Sequence, residues 1–300
     1  MGRRFDTVTL LTDYGYTDEF AGVLHSVVRD LAPHVALVDL THGIAPFDVR
    51  AGALALARAI PYVAEGVVLA VVDPGVGTSR RAVAIEVADG AGVLVGPDNG
   101  LLAPAVAVTG GASRAVALDN PDYHLATAGA TFAGRDVFAP AAAHLCLGVD
   151  LDALGSAVDP ALLVPGLVPL PRQEADGLHA EVLWVDRFGN CQLNVGPDEL
   201  AGGLGAAITT EGAVVTIALG AERRATRVAS TFGGLPAGSI GLVLDSHGMY
   251  ALAMDQRSAA AELSLAQGDA VTLTEATEPA GASGPGADPV SSPIELRRRR

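Results

Sequence analysis

Apolar runs and helical stretches alternate along the first half of the chain. The apolar runs are strand-sized: Thr7–Leu11, Val35–Leu40, Val67–Val72, Ala82–Val87 and Val93–Val95. Uninterrupted runs such as Val35–Leu40 and Val67–Val72 are expected for strands that are buried on both faces. The pattern between and after these runs predicts helices over Phe20–Leu31, Val49–Ala59 and Arg135–Leu147. This alternation predicts an α/β domain with a largely parallel sheet over residues 1–158.

The second half of the chain has a different pattern. Residues 159–177 contain four prolines and predict a linker between domains. Residues 178–274 contain short strand-like runs between glycine-rich turns: Ala180–Val185, Cys191–Asn194, Val214–Leu219, Ile240–Leu244 and Ala270–Thr274. They predict a small, barrel-like, all-β C-terminal domain. Residues 275–300 are rich in Pro, Gly and Ser and end in Arg297–Arg300, which predicts a disordered, solvated tail.

Charge and composition exclude several kinds of function. The formal net charge of −15 argues against a nucleic-acid partner, which requires a basic face. All 19 basic residues are arginine, so a P-loop lysine, a Schiff-base lysine and a lysine general base are excluded. No apolar run is long enough for a membrane span. We therefore expect neither nucleic acid nor membrane as a partner.

Cysteine and histidine spacing predicts no metal site. Cys146 and Cys191 have no motif spacing, and no secretory signal is visible at the N-terminus, so we expect a cytoplasmic protein with reduced cysteines. The seven histidines show no spacing typical of a metal site.

Polar clusters follow three of the predicted strands, where open parallel sheets bind their ligands. These clusters are Thr12–Asp18, Asp73–Arg81 and Gly96–Gly100. Asp73 and Arg80 can pair across one loop, and the simplest interpretation is a salt bridge that braces it. Asp13 is placed to accept hydrogen bonds from two ribose hydroxyls, whereas Asp18 is expected to help cap the helix that begins at Phe20.

Two turns in the second domain also carry polar residues. Asp186–Asn190 lies between two predicted strands, and Ser246–Gly248 follows another. Both are most simply hairpin turns. The residues by themselves indicate an α/β ligand-binding enzyme and do not specify its substrate or reaction.

Taken in order, the polar motifs resemble one family, the S-adenosylmethionine (SAM) hydroxide adenosyltransferases. These are SAM hydrolases related to the bacterial fluorinase and chlorinase. The resemblance covers roughly residues 7–274. It is carried by Thr12–Gly15 with Asp18, Thr41–Asp48, Val72–Thr78 with Arg80, Gly96–Leu102, Thr131–Asp136, Phe188–Asn190 and Ser246–Gly248.

The resemblance implies a fold, an assembly and a reaction. We expect an α/β domain followed by a small β-barrel domain, in a homotrimer or a hexamer. SAM would bind between the N-terminal domain of one subunit and the C-terminal domain of its neighbour. Water or hydroxide would attack C5′ of SAM to give adenosine and L-methionine, so SAM is the substrate and no cofactor is expected.

Carried over to this sequence, the resemblance assigns roles to individual residues. Asp13 would hold the ribose hydroxyls, and Phe47 would pack against the ligand. The adenine would contact Phe188, Asn190 and the backbone of Met254–Gln256, including Asp255 and Gln256. The methionine part would contact Asp18, Asp186 and Ser246. Gly134 and His247 complete the predicted substrate-binding set.

Two positions favour hydrolysis over halogenation. Halogenating relatives have a tyrosine at the position of Asp73, and the fluorinase has a threonine at the position of Val76. A carboxylate repels halide but accepts a hydrogen bond from water. The hydrolases have an arginine at the position of Arg80. We therefore predict that Asp73 and Arg80 are catalytic.

One position departs from the family pattern. The hydrolases place a histidine where this chain has Ala133. Either the histidine is dispensable, or another group such as His124 replaces it, or activity is weak. The alternatives are a non-catalytic SAM- or adenosine-binding protein and, less favoured, a SAM-dependent halogenase.

Overall fold

The computed structural model describes residues 4–276, and the chain divides into two units, Met1–Leu170 and Pro171–Arg300. The predicted linker, 159–177, contains the boundary between these units. Most of the predicted tail, including Arg297–Arg300, lies outside the described residues.

A seven-stranded sheet forms the centre of the first unit. Its strands are β1 Thr7–Thr12, β2 Ala36–Thr41, β3 Gly66–Val71, β4 Ala82–Val87, β5 Gly92–Pro97, β6 Ala112–Ala117 and β7 Ala157–Val158. The order across the sheet is β2-β1-β3-β5-β4-β6-β7. Strands β2, β1, β3 and β5 pair in parallel, and β4 runs antiparallel to both of its neighbours. The predicted α/β domain with a mostly parallel sheet is confirmed.

Helices cover both faces of this sheet. They are α1 Phe20–Leu31, α2 Val49–Ala59, α3 Ala103–Val108 and α4 Ala139–Cys146. Alternate side chains of β3 enter different cores: Leu69 packs in the core that contains residues of α1 and α4, whereas Ala70 packs in the core that contains residues of α2 and α3. Burial on both faces explains why β3 is apolar at every position.

Strand β2 does not fit the expectation of burial on both faces. It lies at the edge of the sheet, where β1 is its one partner among the described strands, and all six of its residues are partly or fully exposed. Val38 is 46% exposed. The apolar run Val35–Leu40 therefore correctly predicted a strand. The expectation that this strand is buried on both faces was wrong, because an apolar run does not specify whether a strand lies in the centre or at the edge of a sheet.

The predicted helix Arg135–Leu147 is two segments. A π-helical turn, Gly134–Phe138, leads directly into α4, and Gly148 has φ +84° just after it. Such turns are rare and occur often at functional sites. Here the turn follows the segment Thr131–Ala133.

The second unit is a closed β-barrel with two short helices. The strands are β8 Arg172–Glu174, β9 Gly177–Val185, β10 Cys191–Leu193, β11 Val214–Leu219, β12 Glu222–Ala229, β13 Ile240–Leu244, β14 Tyr250–Met254 and β15 Ala270–Glu275; the helices are α5 Pro197–Leu204 and α6 Ala259–Leu263. Seven strands close into the barrel in the order β9-β10-β14-β13-β12-β11-β15. Strand β8 is not part of this ring and pairs with the first residues of β9. The predicted barrel-like domain is confirmed.

The barrel interior is apolar. Val182, Leu193, Ile217 and Leu252 are fully buried in it. Cys191 in this unit and Cys146 in the first unit are both buried and form no disulfide bond among the described residues. Within residues 4–276, no helix combines the length and the apolar character needed to cross a membrane.

Candidate active site

A cavity of about 430 Å³ opens at the carboxyl ends of β1 and β3 in the first unit. Its walls come from the loops after these two strands, the segment after β2 and the start of the π-helical turn. The lining residues are Asp13, Tyr14, Asp18, Phe20, Pro46, Phe47, Asp73, Val76, Thr131, Phe132, Ala133 and Gly134. The structure therefore brings together five predicted site residues, Asp13, Asp18, Phe47, Asp73 and Gly134.

Asp13 holds Phe47 at the cavity. The Phe47 backbone N–H donates to Oδ2 of Asp13 across 2.9 Å. Phe47 has φ +68°, a left-handed conformation that costs a non-glycine residue about 1–2 kcal/mol, and the residue is 71% exposed. The other carboxylate oxygen of Asp13 has no hydrogen bond to the described residues, which leaves it free to accept one from a ligand hydroxyl.

Asp73 and Arg80 form the predicted ion pair. Nε of Arg80 donates to Oδ1 of Asp73 across 2.9 Å, and Nη2 donates to Oδ2. Both side chains are largely buried, and the guanidinium also donates to the Arg81 carbonyl and lies over the Phe138 ring. Burial raises the pKa of Asp73 above its ordinary value, while the Arg80 guanidinium opposes that rise. The guanidinium thus fixes the orientation of a carboxylate that borders the cavity.

Asp18 does not cap helix α1. The residue in the cap position is Glu19, and no side chain accepts a hydrogen bond from the first turn. The capping expectation was wrong because the helix begins one residue later than an Asp18 cap requires. Asp18 instead lines the cavity.

Three aromatic rings form a wall that the sequence did not identify. The Tyr14 ring centroid lies 5.7 Å from those of both Phe20 and Phe132, which are themselves 5.0 Å apart. A Cβ on Gly134 would overlap the Tyr14 hydroxyl, so Gly134 contributes space for Tyr14. Burial, with Asp13 and Asp73 adding to it, raises the pKa of Tyr14, so its phenol stays protonated well above neutral pH. Aromatic residues close in sequence to Asp13, Asp18 and Gly134 were the available signal.

The second unit has two adjoining cavities, of about 470 Å³ and 400 Å³. They share Phe188, Asn190 and Phe232 as lining residues. The first also contains Met254, Asp255, Gln256, Arg257 and Ser258, and the second also contains Trp184, Asp186, Gln192, Ser230, Thr231, Val243, Leu244, Asp245, Ser246, His247 and Ala251. All the predicted site residues of this unit therefore lie around one pair of cavities.

Two aspartates organise the turns at these cavities. Oδ1 of Asp186 accepts hydrogen bonds from the backbone N–H groups of Phe188 and Asn190, each across 2.8 Å, and Oδ2 accepts from Nδ2 of Asn190 across 2.7 Å. Asp245, which the sequence interpretation missed, accepts in the same way from the His247 backbone. Both carboxylates already stabilise the turns, so they position Phe188, Asn190 and His247.

Comparison with known domains decides the family. The SAM hydroxide adenosyltransferase N-terminal domain matches residues 8–155, and the corresponding C-terminal domain matches residues 180–272. The chain belongs to the SAM hydroxide adenosyltransferase family. The family resemblance predicted from the motifs is confirmed.

Similar proteins match most of the SAM hydroxide adenosyltransferase chain. It is 45% identical to the (R)-S-adenosyl-L-methionine hydrolase of Salinispora tropica over 267 residues, which cover 89% of this chain and 97% of that protein. A fluorinase from an Actinoplanes species is 26% identical over 212 residues, covering 63% of this chain and 71% of the fluorinase. The crystal structure of an uncharacterized conserved protein from Thermotoga maritima matches with a TM-score of 0.80 and 31% identity, covering 89% and 100% of the two chains.

Among residues 4–276, no histidine lines the first-unit cavity of this SAM hydroxide adenosyltransferase. Ala133 occupies the wall between Phe132 and Gly134. His124, the substitute considered above, is not a lining residue, and its partly buried ring lies near Asp119. The structure therefore gives no support to His124 as a replacement. Tyr14 lines this cavity and carries its hydroxyl group close to Gly134.

Proposed function

We propose that this chain hydrolyses SAM at C5′ and releases adenosine and L-methionine. The observation that carries the proposal is the buried Asp73–Arg80 pair, whose carboxylate borders a cavity that also contains Asp13 and Asp18. The similarity to a protein named (R)-S-adenosyl-L-methionine hydrolase supports the same substrate and reaction.

The difficult part of this reaction is the nucleophile. The sulfonium is a cationic leaving group, so displacement gives a neutral thioether and needs no general acid at sulfur. Water has a pKa of about 15.7 and attacks poorly unless it is oriented or loses a proton. Asp73 accepts a hydrogen bond from this water and takes its proton as the oxygen–C5′ bond forms and the C5′–sulfur bond breaks. Arg80 holds the carboxylate in place, and its charge stabilises developing hydroxide.

The remaining contacts follow the two sets of lining residues. Asp13 binds the ribose hydroxyls and Phe47 packs on the ligand, while Asp18 and Ser246 contact the methionine part. Phe188 and Asn190 contact the adenine. The site is completed by Gly134, His247, Asp255 and Gln256. Asp186 contributes indirectly, because its carboxylate stabilises the turn that carries Phe188 and Asn190. SAM binds without a further cofactor.

The assembly in this proposal is a homo-oligomer, trimeric or hexameric, in the cytoplasm. The first unit of one subunit and the second unit of its neighbour share each substrate. Each unit carries its own open cavity lined by predicted site residues, which supports a shared site. Sedimentation equilibrium of the full chain measures the oligomeric state, and a monomer that retains full activity would contradict this arrangement.

The deciding experiment follows the oxygen atom. The purified chain is incubated with SAM in ¹⁸O-water containing chloride, and the products are separated by chromatography and identified by mass spectrometry. Adenosine labelled at the 5′ oxygen, with equimolar methionine, is expected. The second candidate is a SAM- or adenosine-binding protein, which is suggested by the lack of a histidine among the described residues that line the first cavity. SAM that binds but decays only at the rate measured without enzyme would support this candidate. Formation of 5′-chloro-5′-deoxyadenosine would indicate a halogenase.

Tyr14→Phe should lower kcat/KM about three- to tenfold, because it removes one hydrogen-bond donor and leaves the ring packing intact. The matched control is Tyr62→Phe, since Tyr62 is 78% exposed and does not line the cavity. Initial rates over a range of SAM concentrations measure both variants. Equal kcat/KM in wild type and Tyr14→Phe would show that the hydroxyl contacts neither substrate nor the attacking water.

A further inference from the structure

The side chains of two histidines and an aspartate lie close together beside the loop that follows β1. His25 lies in α1, Asp39 in β2, and His42 directly after β2. Nε2 of His25 is 2.7 Å from Oδ1 of Asp39, and Nε2 of His42 is 3.1 Å from the same oxygen. One donor atom from each residue lies within 4.8 Å of the others. The sequence spacing follows no common metal motif, which is why the sequence predicted no metal site.

The donor set has the chemistry of a zinc-type site. Two imidazole nitrogens and one carboxylate oxygen with a position left for water are ligands that Zn²⁺ binds in proteins. Tetrahedral ligands at about 2.0–2.1 Å from zinc lie about 3.3 Å from one another. The contacts of His25 and His42 with Asp39, at 2.7 and 3.1 Å, must therefore open by about 0.6 and 0.2 Å. The two imidazole nitrogens lie within 4.8 Å of each other and must approach to about 3.3 Å. His25 and Asp39 can move, and an ion can enter between them, because their side chains are 33% and 30% exposed.

His42 is already oriented for binding. Its side chain is fully buried, and its Nδ1 lies 2.7 Å from Oγ1 of Thr12. With a proton on Nδ1 donated to this oxygen, Nε2 presents its lone pair toward His25 and Asp39. The edge of the Tyr16 ring packs against the imidazole at 5.1 Å. A hydrogen bond from the second ring nitrogen is the usual means by which proteins fix a metal-binding histidine.

The cluster is connected to the cavity loop through the backbone. Thr12 immediately precedes Asp13, and the Gly15 N–H donates to the His42 carbonyl across 2.7 Å. An ion bound by the three side chains would join α1, β2 and the segment after β2, and through His42 it would restrain the loop that carries Asp13.

We propose that His25, Asp39 and His42 form a binding site for a zinc-type divalent cation that stabilises the first unit. The structure offers a matched comparison in the second unit, where Glu174, Asp176 and His179 also cluster. There the Asp176 and Glu174 side chains are 72% and 48% exposed, and within the described part of the chain His179 has no hydrogen-bond partner for its ring apart from Asp176. Burial and the Thr12 contact distinguish the first cluster.

The test measures metal binding directly. The full chain, with any affinity tag removed, is stripped with a chelator and titrated with ZnCl₂ by calorimetry, and with CoCl₂ while the visible absorption of tetrahedral cobalt is recorded. One equivalent should bind, and zinc should raise the thermal transition, as expected for an ion that binds only the folded state. His25→Ala and Asp39→Asn should each weaken binding at least about tenfold, whereas His179→Ala should leave it unchanged.

Two results would overturn the site. One is the absence of saturable binding by the wild-type chain, which would leave the three residues as a hydrogen-bonded group only. The other is unchanged stoichiometry and affinity in both His25→Ala and Asp39→Asn. Neither readout depends on SAM turnover, so failure of this proposal is distinct from failure of the proposed hydrolase activity. Partly exposed His25 and Asp39 are preferred to buried His42 because their substitution perturbs the fold least.

Discussion

Replacing Asp73 with asparagine should lower SAM turnover about 10²- to 10⁴-fold, the range usual for loss of a positioned proton acceptor. Asparagine keeps the size of the side chain and one acceptor oxygen, but it cannot take a proton from water. It also removes the negative charge that Arg80 now contacts through two nitrogens. Binding of SAM should change much less than turnover, because the proposed role of Asp73 is toward the attacking water.

Single-turnover rates and calorimetric SAM affinity separate these two effects. The matched control is Asp98→Asn, which removes the charge from a second buried carboxylate that pairs with an arginine in the same unit. Nε of Arg81 donates to Oδ2 of Asp98 across 2.9 Å, and Asp98 does not line the cavity. We expect near wild-type turnover in Asp98→Asn. Equal turnover in Asp73→Asn and wild type would refute the assignment of Asp73 as the group that activates water.

The elements of the first unit were predictable where burial alone sets the residue pattern. The bounds predicted for α1 and α2 coincide with those observed, because each helix has an apolar face against the sheet.

Strands β12 and β14 of the second unit were not predicted. Strand β12 was missed because its first residues, Glu222–Arg224, are exposed and polar. Strand β14 was missed although it is apolar throughout, because a five-residue apolar run cannot be distinguished from a buried helical segment by periodicity alone.

The site was predictable to the extent that each residue lies at the end of a strand or in a turn. Asp73 and Arg80 are seven residues apart, so their pairing within one loop could be expected from the sequence. Contacts between distant segments could not. The overlap of the Tyr14 hydroxyl with a side chain at position 134, and the meeting of His25 with His42, depend on how α1 and the π-helical turn pack on the sheet.

Gly189→Ala should destabilise the second unit by about 2–5 kcal/mol and weaken SAM binding at the same time. Gly189 has φ +84°, where an alanine costs about 1–2 kcal/mol. Its Cβ would also lie 2.8 Å from Cα of Ser258, and relief of such overpacking costs about 1–3 kcal/mol. The clash cannot be relieved by a side-chain rotation, because Ser258 caps α6 and the Ala260 N–H donates to the Gly189 carbonyl.

Gly220→Ala separates the clash from the backbone strain. Gly220 has φ +60° in the turn between β11 and β12, but a Cβ there meets nothing within 4 Å. Thermal denaturation should therefore show a smaller shift for Gly220→Ala, with unchanged SAM affinity. For Gly189→Ala, movement of the turn displaces Phe188 and Asn190, which Asp186 holds at the two cavities. If both variants lost stability equally and Gly189→Ala bound SAM normally, contact between this turn and the substrate would be ruled out.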